Sequence, residues 1–123
     1  MAVTSVRVLL YRQNEFLLVQ HNNYKPENKG KWGLPGGRID PSDASYEAVL
    51  RREMDEEFSI SLGQLIELGD WSYNGRTHRV FAALFEDEIT TWDSTEVLDI
   101  AWHSEASYRC VADEGRMHTD SKC

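Results

Sequence analysis

The stretch RREMDEEFSI, residues 51–60, sets Glu53, Glu56 and Glu57 at helical spacings beside apolar residues that ought to face a core. With about 100° of rotation per residue counted from Leu50, Tyr46, Val49, Leu50 and Met54 share one arc of roughly 140°, an ordinary core-facing stripe. Glu57, Glu53 and Glu56 land at roughly −20°, −60° and −120°, overlapping or bordering that stripe. Arg51, Arg52 and Asp55 point elsewhere. Like charges a turn apart repel, and the only cation a turn from the three is Arg52, in the less favourable order before Glu56. Two arrangements relieve the conflict. In one the helix runs past the sheet edge and its glutamates are solvated or paired with arginines, as acidic faces usually are. In the other the carboxylates converge on a hard divalent cation, Mg²⁺ or Mn²⁺, and the placement of the triad along the apolar stripe favours this one.

WGLPGG, residues 32–37, supplies a second half of a site. Leu-Pro-Gly-Gly predicts a tight bend free of side chains, in which the Gly37 carbonyl can approach an ion or ligand closely. Alone such a stretch is an ordinary turn. Beside an acidic helix it becomes informative.

The elements that must position these groups are legible from periodicity. Val6–Tyr11 and Phe16–Gln20 read as a hairpin of two largely buried strands around RQNE. Residues 21–31 are polar, with Pro26 and Gly30, and read as an exposed loop. The helix has two candidate starts, one capped within Asp40–Asp43 and one at Ser45, and it ends between Phe58 and Ser61. Leu65–Tyr73 and Thr77–Phe85 flank Asn74-Gly75, a strong hairpin signal. Val97–His103 is a further strand, and the tail from Ser104 reads as a frayed helix.

Composition excludes several classes of function. With 123 residues, 41% hydrophobic, the chain fits a single domain spanning 1–123. A net charge of −8 argues against a nucleic-acid polymer or an anionic membrane as partner. Cys110 and Cys123 have no CxxC spacing, so neither a disulfide framework nor a zinc site is indicated. The opening MAVTSVRVLL is too short an apolar run for a signal peptide or a span, and a cytoplasmic location is expected.

With these residues in place, the chain resembles the Nudix hydrolases of the MutT-like kind. Their signature runs glycine, five residues, glutamate, seven residues, Arg-Glu-hydrophobic, any residue, Glu-Glu, any residue, glycine, hydrophobic. Here Gly37 opens it, Arg52-Glu53-Met54 and Glu56-Glu57 fill its centre, and Ile60 closes it. Asp43 stands where the first glutamate belongs, one extra residue separates it from Arg52, and Ser59 replaces the closing glycine. If the Ser59 position needs a left-handed backbone, serine costs about 1 kcal/mol there. The resemblance implies an α/β/α sandwich around a mixed β-sheet. It also implies Mg²⁺-dependent hydrolysis, by water attacking phosphorus, of a nucleoside diphosphate linked to another group.

On this reading Glu53, Glu56 and Glu57 are metal ligands, with the Gly37 carbonyl as an extra one, and Arg52 orients a neighbouring glutamate. Glu96 is a candidate base ahead of the last strand, in competition with Glu86, Asp87, Glu88, Asp93 and the triad itself. Tyr24, Trp71 and Tyr73 could stack on a base and Lys31 could hold a phosphate, although strand aromatics usually belong to cores. Trp32 reads as packing, and His21, His78, His103 and His118 show no metal-site spacing. No substrate-specific string follows Ile60, and a short chain with few additions resembles the housecleaning members of the family, which implies nucleoside triphosphates, oxidised ones included, as small-molecule substrates. ADP-ribose and nucleotide sugars are the alternatives, as is an inactive nucleotide-binding module, and a monomer or homodimer is expected. An unrelated Ca²⁺-binding domain would need an alternating Asp/Asn loop with a central glycine, which the sequence lacks.

Overall fold

The computed structural model describes residues 3–22, 30–73 and 75–104. Val3–Arg12 (β1) and Glu15–His21 (β2) form the expected hairpin, turning at Gln13, which adopts φ 47°. Their pairing covers only the turn end, Tyr11 with Phe16 and Arg12 with Glu15. Further along, each strand takes a different neighbour. Trp32–Gly33 (β3) pairs with β2, and Gly36–Arg38 (β4) pairs with β1. The chain therefore crosses from one strand to the other at Leu34-Pro35, and the Val8 N–H donates to the Pro35 carbonyl at 2.9 Å.

This corrects the bend expected at Pro-Gly-Gly. Gly36 and Gly37 lie in an extended strand, and neither has a positive φ. The glycines are required by space instead. A Cβ on Gly36 would stand 2.0 Å from the Val6 carbonyl oxygen, so no side chain fits between β4 and β1.

Arg76–Leu84 (β6) runs parallel to β1, and Ile66–Tyr73 (β5) pairs antiparallel with β6 at the sheet edge. Val97–His103 (β7) pairs antiparallel with β2. The sheet is therefore mixed, and strand alternation gives it two distinct faces. Val6, Val8 and Leu10 of β1, Leu17 and Val19 of β2, and Phe81 and Ala83 of β6 point to one side. There they pack with Val49, Leu50, Met54 and Phe58 of the helix as the core. Ser5, Arg7 and Leu9 share the other side with His78, Val80 and Ala82.

The helix, Tyr46–Phe58 (α1), starts at the later of its two candidate caps. The Ser45 hydroxyl accepts from the Ala48 N–H at 3.1 Å, while residues 40–43 close a separate turn on the Asp40 side chain. The helix ends on Ser59 in the left-handed region, φ 56° and ψ 40°, with its N–H donating to the Asp55 carbonyl. Tyr46 departs from the expected stripe. It is 37% exposed and lies under the Arg79 guanidinium, 4.7 Å from the ring centre. The tail expected as a frayed helix lies, after Ser104, outside the described residues.

Candidate active site

The helical angles predict the burial order of the three glutamates. Glu57, nearest the apolar stripe, is buried, and its Oε2 has no hydrogen-bond partner among the described residues. The Glu53 side chain is 16% exposed and that of Glu56, farthest round the helix, 57%. Glu53 lies directly on Gly37: a Cβ there would stand 2.3 Å from the Glu53 Cδ. Only glycine at this place lets the carboxyl rest against the β4 backbone. Glu53 and Glu57 are thus turned inward, whereas Glu56 stands largely in solvent.

Arg52 engages more groups than its helical position suggested. Its Nε and Nη2 donate to both Asp43 oxygens at 3.1 and 3.0 Å, and its Nη1 reaches Glu53 Oε1 at 3.1 Å and Glu56 Oε2 at 3.4 Å. Glu53 therefore has a cation, contrary to the count made along the helix alone. The Arg52 hydrogen bonds hold the Asp43 carboxyl below its usual range. Asp43 thus fixes the arginine from the loop before α1.

Burial acts in the opposite direction on the inner carboxyls. Desolvation, with the charges of Glu53, Glu96 and Asp93 added, pushes Glu57 up to about 8, against a smaller pull from Arg7. Desolvation likewise raises Glu53, opposed by Arg52. The backbone brings Asp93 and Glu96 to this end of α1, the Glu96 N–H donating to the Asp93 carbonyl at 3.0 Å. The Asp93 N–H in turn donates to the Glu57 carbonyl at 2.8 Å, while the Asn22 N–H, after β2, donates to the Glu96 carbonyl at 3.0 Å. Glu88, by contrast, pairs with Arg12. Arg12 is six strand residues from Val6, the partner of Gly37, a separation of roughly 20 Å. Glu86, Asp87 and Glu88 accordingly fall at the far end of β1.

The donor set fits a hard cation in its chemistry. It offers three carboxyls, one with a buried, unpartnered oxygen, against a backbone strand stripped of side chains. As the side chains stand, however, no three His, Cys, Asp or Glu among the described residues gather closely enough to hold one ion, and Arg52 occupies Glu53 and Glu56.

The other sequence candidates are more dispersed. Lys31 sits where β2 meets β3, its carbonyl accepting from the His21 N–H at 3.0 Å. Tyr73 ends β5 opposite Arg76, and Trp71 is 46% exposed on the same strand. Tyr24, His118, Cys110 and Cys123 lie outside the described residues. Trp32 packs with Leu18, Phe16 and Leu34, as expected of a packing residue. His78 contacts the Ser5 hydroxyl and is driven down to about 4 by burial and by Arg7 and Arg76.

Sequence reasoning missed Arg7. Burial lowers its guanidinium pKa while the charges of Glu57 and Glu53 raise it, so the field of the triad reaches this buried strand cation. Its signal was present in SVRVLL, where a charge interrupts an apolar strand at an alternate position.

A family model described as the NUDIX domain matches residues 1–120. The chain is 28% identical over 102 residues to the "NAD-capped RNA hydrolase NudC" of Haemophilus influenzae, covering 81% of this chain and 38% of that protein. It is 43% identical over 53 residues to the human "8-oxo-dGDP phosphatase NUDT18", covering 43% of this chain and 16% of that one. The chain thus spans well under half the length of these curated relatives. Among solved structures, the NUDIX domain of Shewanella oneidensis NrtR complexed with ADP ribose superposes with a TM-score of 0.70 at 25% identity, covering 88% of this chain and 76% of that one. The mixed sheet carrying α1 matches that domain and is consistent with the α/β/α Nudix fold. Fold, glutamate box and family model agree: the chain belongs to the NUDIX domain family.

Proposed function

We propose that this chain is a Mg²⁺-dependent hydrolase that cleaves the diphosphate linkage of a nucleoside diphosphate derivative, with nucleoside triphosphates as its first substrate class. The observation that carries this reading is the buried, unpartnered Glu57 oxygen beside a Glu53 carboxyl seated on Gly37. A carboxyl pushed up to about 8 by burial and neighbouring carboxylates is a group in want of a cation. Glu53, Glu56, Glu57 and the Gly37 carbonyl would hold the ion, with Mn²⁺ as a substitute. When bound, the ion polarises phosphoryl oxygens, lowers the pKa of a water and offsets charge on the leaving phosphate.

The chain's own residues supply the remaining roles. Arg52, fixed by Asp43, positions Glu53 and Glu56. Glu96, whose charge acts on both inner glutamates, receives the proton of the attacking water. Lys31, Tyr24 and Tyr73 remain proposed substrate contacts, and residues 1–123 act as one domain on a small-molecule nucleotide. The similarity to a protein named for 8-oxo-dGDP supports an oxidised nucleotide. The ADP ribose in the NrtR domain supports ADP-ribose as the second reading. A panel of nucleotides with Mg²⁺, read by released phosphate after pyrophosphatase coupling, tests this function. Turnover lost on adding EDTA and in Glu57→Gln supports it, and turnover unaffected by either overturns it.

A further inference from the structure

The sheet face turned away from α1 changes character along β1. Toward Arg12 it is apolar, with Leu9 beside Ala82 and Tyr11 beside Leu84. Toward Val3 it is cationic. Ser5 stands between Arg38 on β4 and His78 on β6, and Trp71 stands across from His78 on β5. Arg7 follows two residues along, opposite Gly36, which presents no side chain, and Arg76 lies in the next row, across from Tyr73. Because His78 is held neutral, the cations of this face are Arg7, Arg38 and Arg76. The charges of Arg38 and Arg76 act against that of Arg7, which also feels the larger, opposite effects of Glu57 and Glu53.

The other described arginines are all engaged by protein. Arg12 and Arg79 each meet two carboxylates, Arg52 meets three, and Arg51 donates to the Leu62 and Gly63 carbonyls. Among the described residues, Arg7, Arg38 and Arg76 make no ion pair, although the chain carries a net charge of −8. No described carboxylate is in contact with any of the three, and like charges gathered on one face in this way favour an arriving anion. Planar guanidinium forks are suited to phosphate oxygens, and an exposed indole in an adjoining row offers a base a stacking surface.

We propose that Arg7, Arg38 and Arg76 form a phosphate cradle that holds the nucleoside-bearing phosphate of the substrate, with its base stacked on Trp71. This inference rests on the diphosphate-hydrolase reading, with Arg7, on which the charges of Glu57 and Glu53 act, as the member of the cradle that adjoins the carboxylates.

Calorimetric titration of the intact protein with ADP, and separately with inorganic pyrophosphate, in EDTA at low salt, tests it. The wild type is expected to bind both. Arg38→Gln and Arg76→Gln, at exposed positions that leave the fold intact, should each weaken both ligands about tenfold or more, as should Arg7→Gln if it folds. Trp71→Ala should weaken ADP and spare pyrophosphate. Arg79→Gln removes the same charge from the α1 side and should bind both ligands within about twofold of wild type. Absence of metal-free binding by the wild type, unchanged affinity in Arg38→Gln and Arg76→Gln, or an equal loss in Arg79→Gln would overturn the cradle. Because no metal is present, failure of the carboxylate site appears only as metal-independent turnover and leaves this titration unaltered.

Discussion

Replacing Glu57 with Gln removes the one carboxyl whose ionisation the fold opposes most while keeping its shape and an amide oxygen. The burial that pushes Glu57 to about 8 favours its protonated form in the folded state, whereas its ordinary value is 4.5. The folded protein then binds more protons than the unfolded chain between those values. Stability from this group is fully present below about 4.5 and is lost as pH rises through about 8. At the full swing the effect is on the order of 5 kcal/mol as an upper bound. Glu57→Gln cannot titrate and escapes the loss. Thermal melts in EDTA across that pH range should therefore show the variant and wild type together at the acid end. By the alkaline end they should separate by about 10 °C or more in the variant's favour. His78 titrates in both proteins and cancels in the difference. Mg²⁺ at a hundred times its Kd should then restore about 2.7 kcal/mol to the wild type and little to the variant. Parallel curves across the whole range would refute the reasoning, since they would mean that the carboxyl is neither desolvated nor crowded by charge.

Other outcomes follow from individual contacts. Ser59→Gly should stabilise the protein by about 1 kcal/mol in denaturant melts, because φ 56° strains any side chain but not glycine. Gly37→Ala should fold, since the clash is with the Glu53 side chain, yet lose about tenfold or more in Mg²⁺ affinity by calorimetry; Gly36→Ala, which meets backbone, should not accumulate as folded protein. Asp43→Asn should release Arg52 and lower kcat about tenfold with KM little changed, as expected of a positioning residue. The His78 ring should remain neutral in NMR titrations until pH approaches about 4, and a midpoint near 6.5 would contradict its burial.

What the sequence disclosed is whatever depends on neighbours along the chain. The Asn-Gly hairpin, the β7 strand, the left-handed residue at Ser59 and the burial order of Glu57, Glu53 and Glu56 are all consequences of local spacing. What stayed hidden depends on pairing between distant segments. Pro-Gly-Gly read as a bend because glycine usually signals turn geometry, whereas here two β-backbones and a carboxyl exclude any Cβ. Arg7 shows its role only once register places it beside Arg38 and His78, themselves far apart in sequence. Arg52 was counted by its helical neighbours, but its length lets it bridge to Asp43 and Glu53 as well. Tyr46 matches the apolar stripe, yet a cation–π contact with Arg79, which lies far off in sequence, takes the place of burial.

The most direct test is a crystal grown with Mn²⁺ and measured for anomalous scattering. Carboxylate oxygens of Glu53 and Glu57 within about 2.3 Å of a manganese peak beside the Gly37 backbone are the predicted result. A peak elsewhere on the molecule, or none while Glu53 remains paired with Arg52, would contradict a cation site on α1.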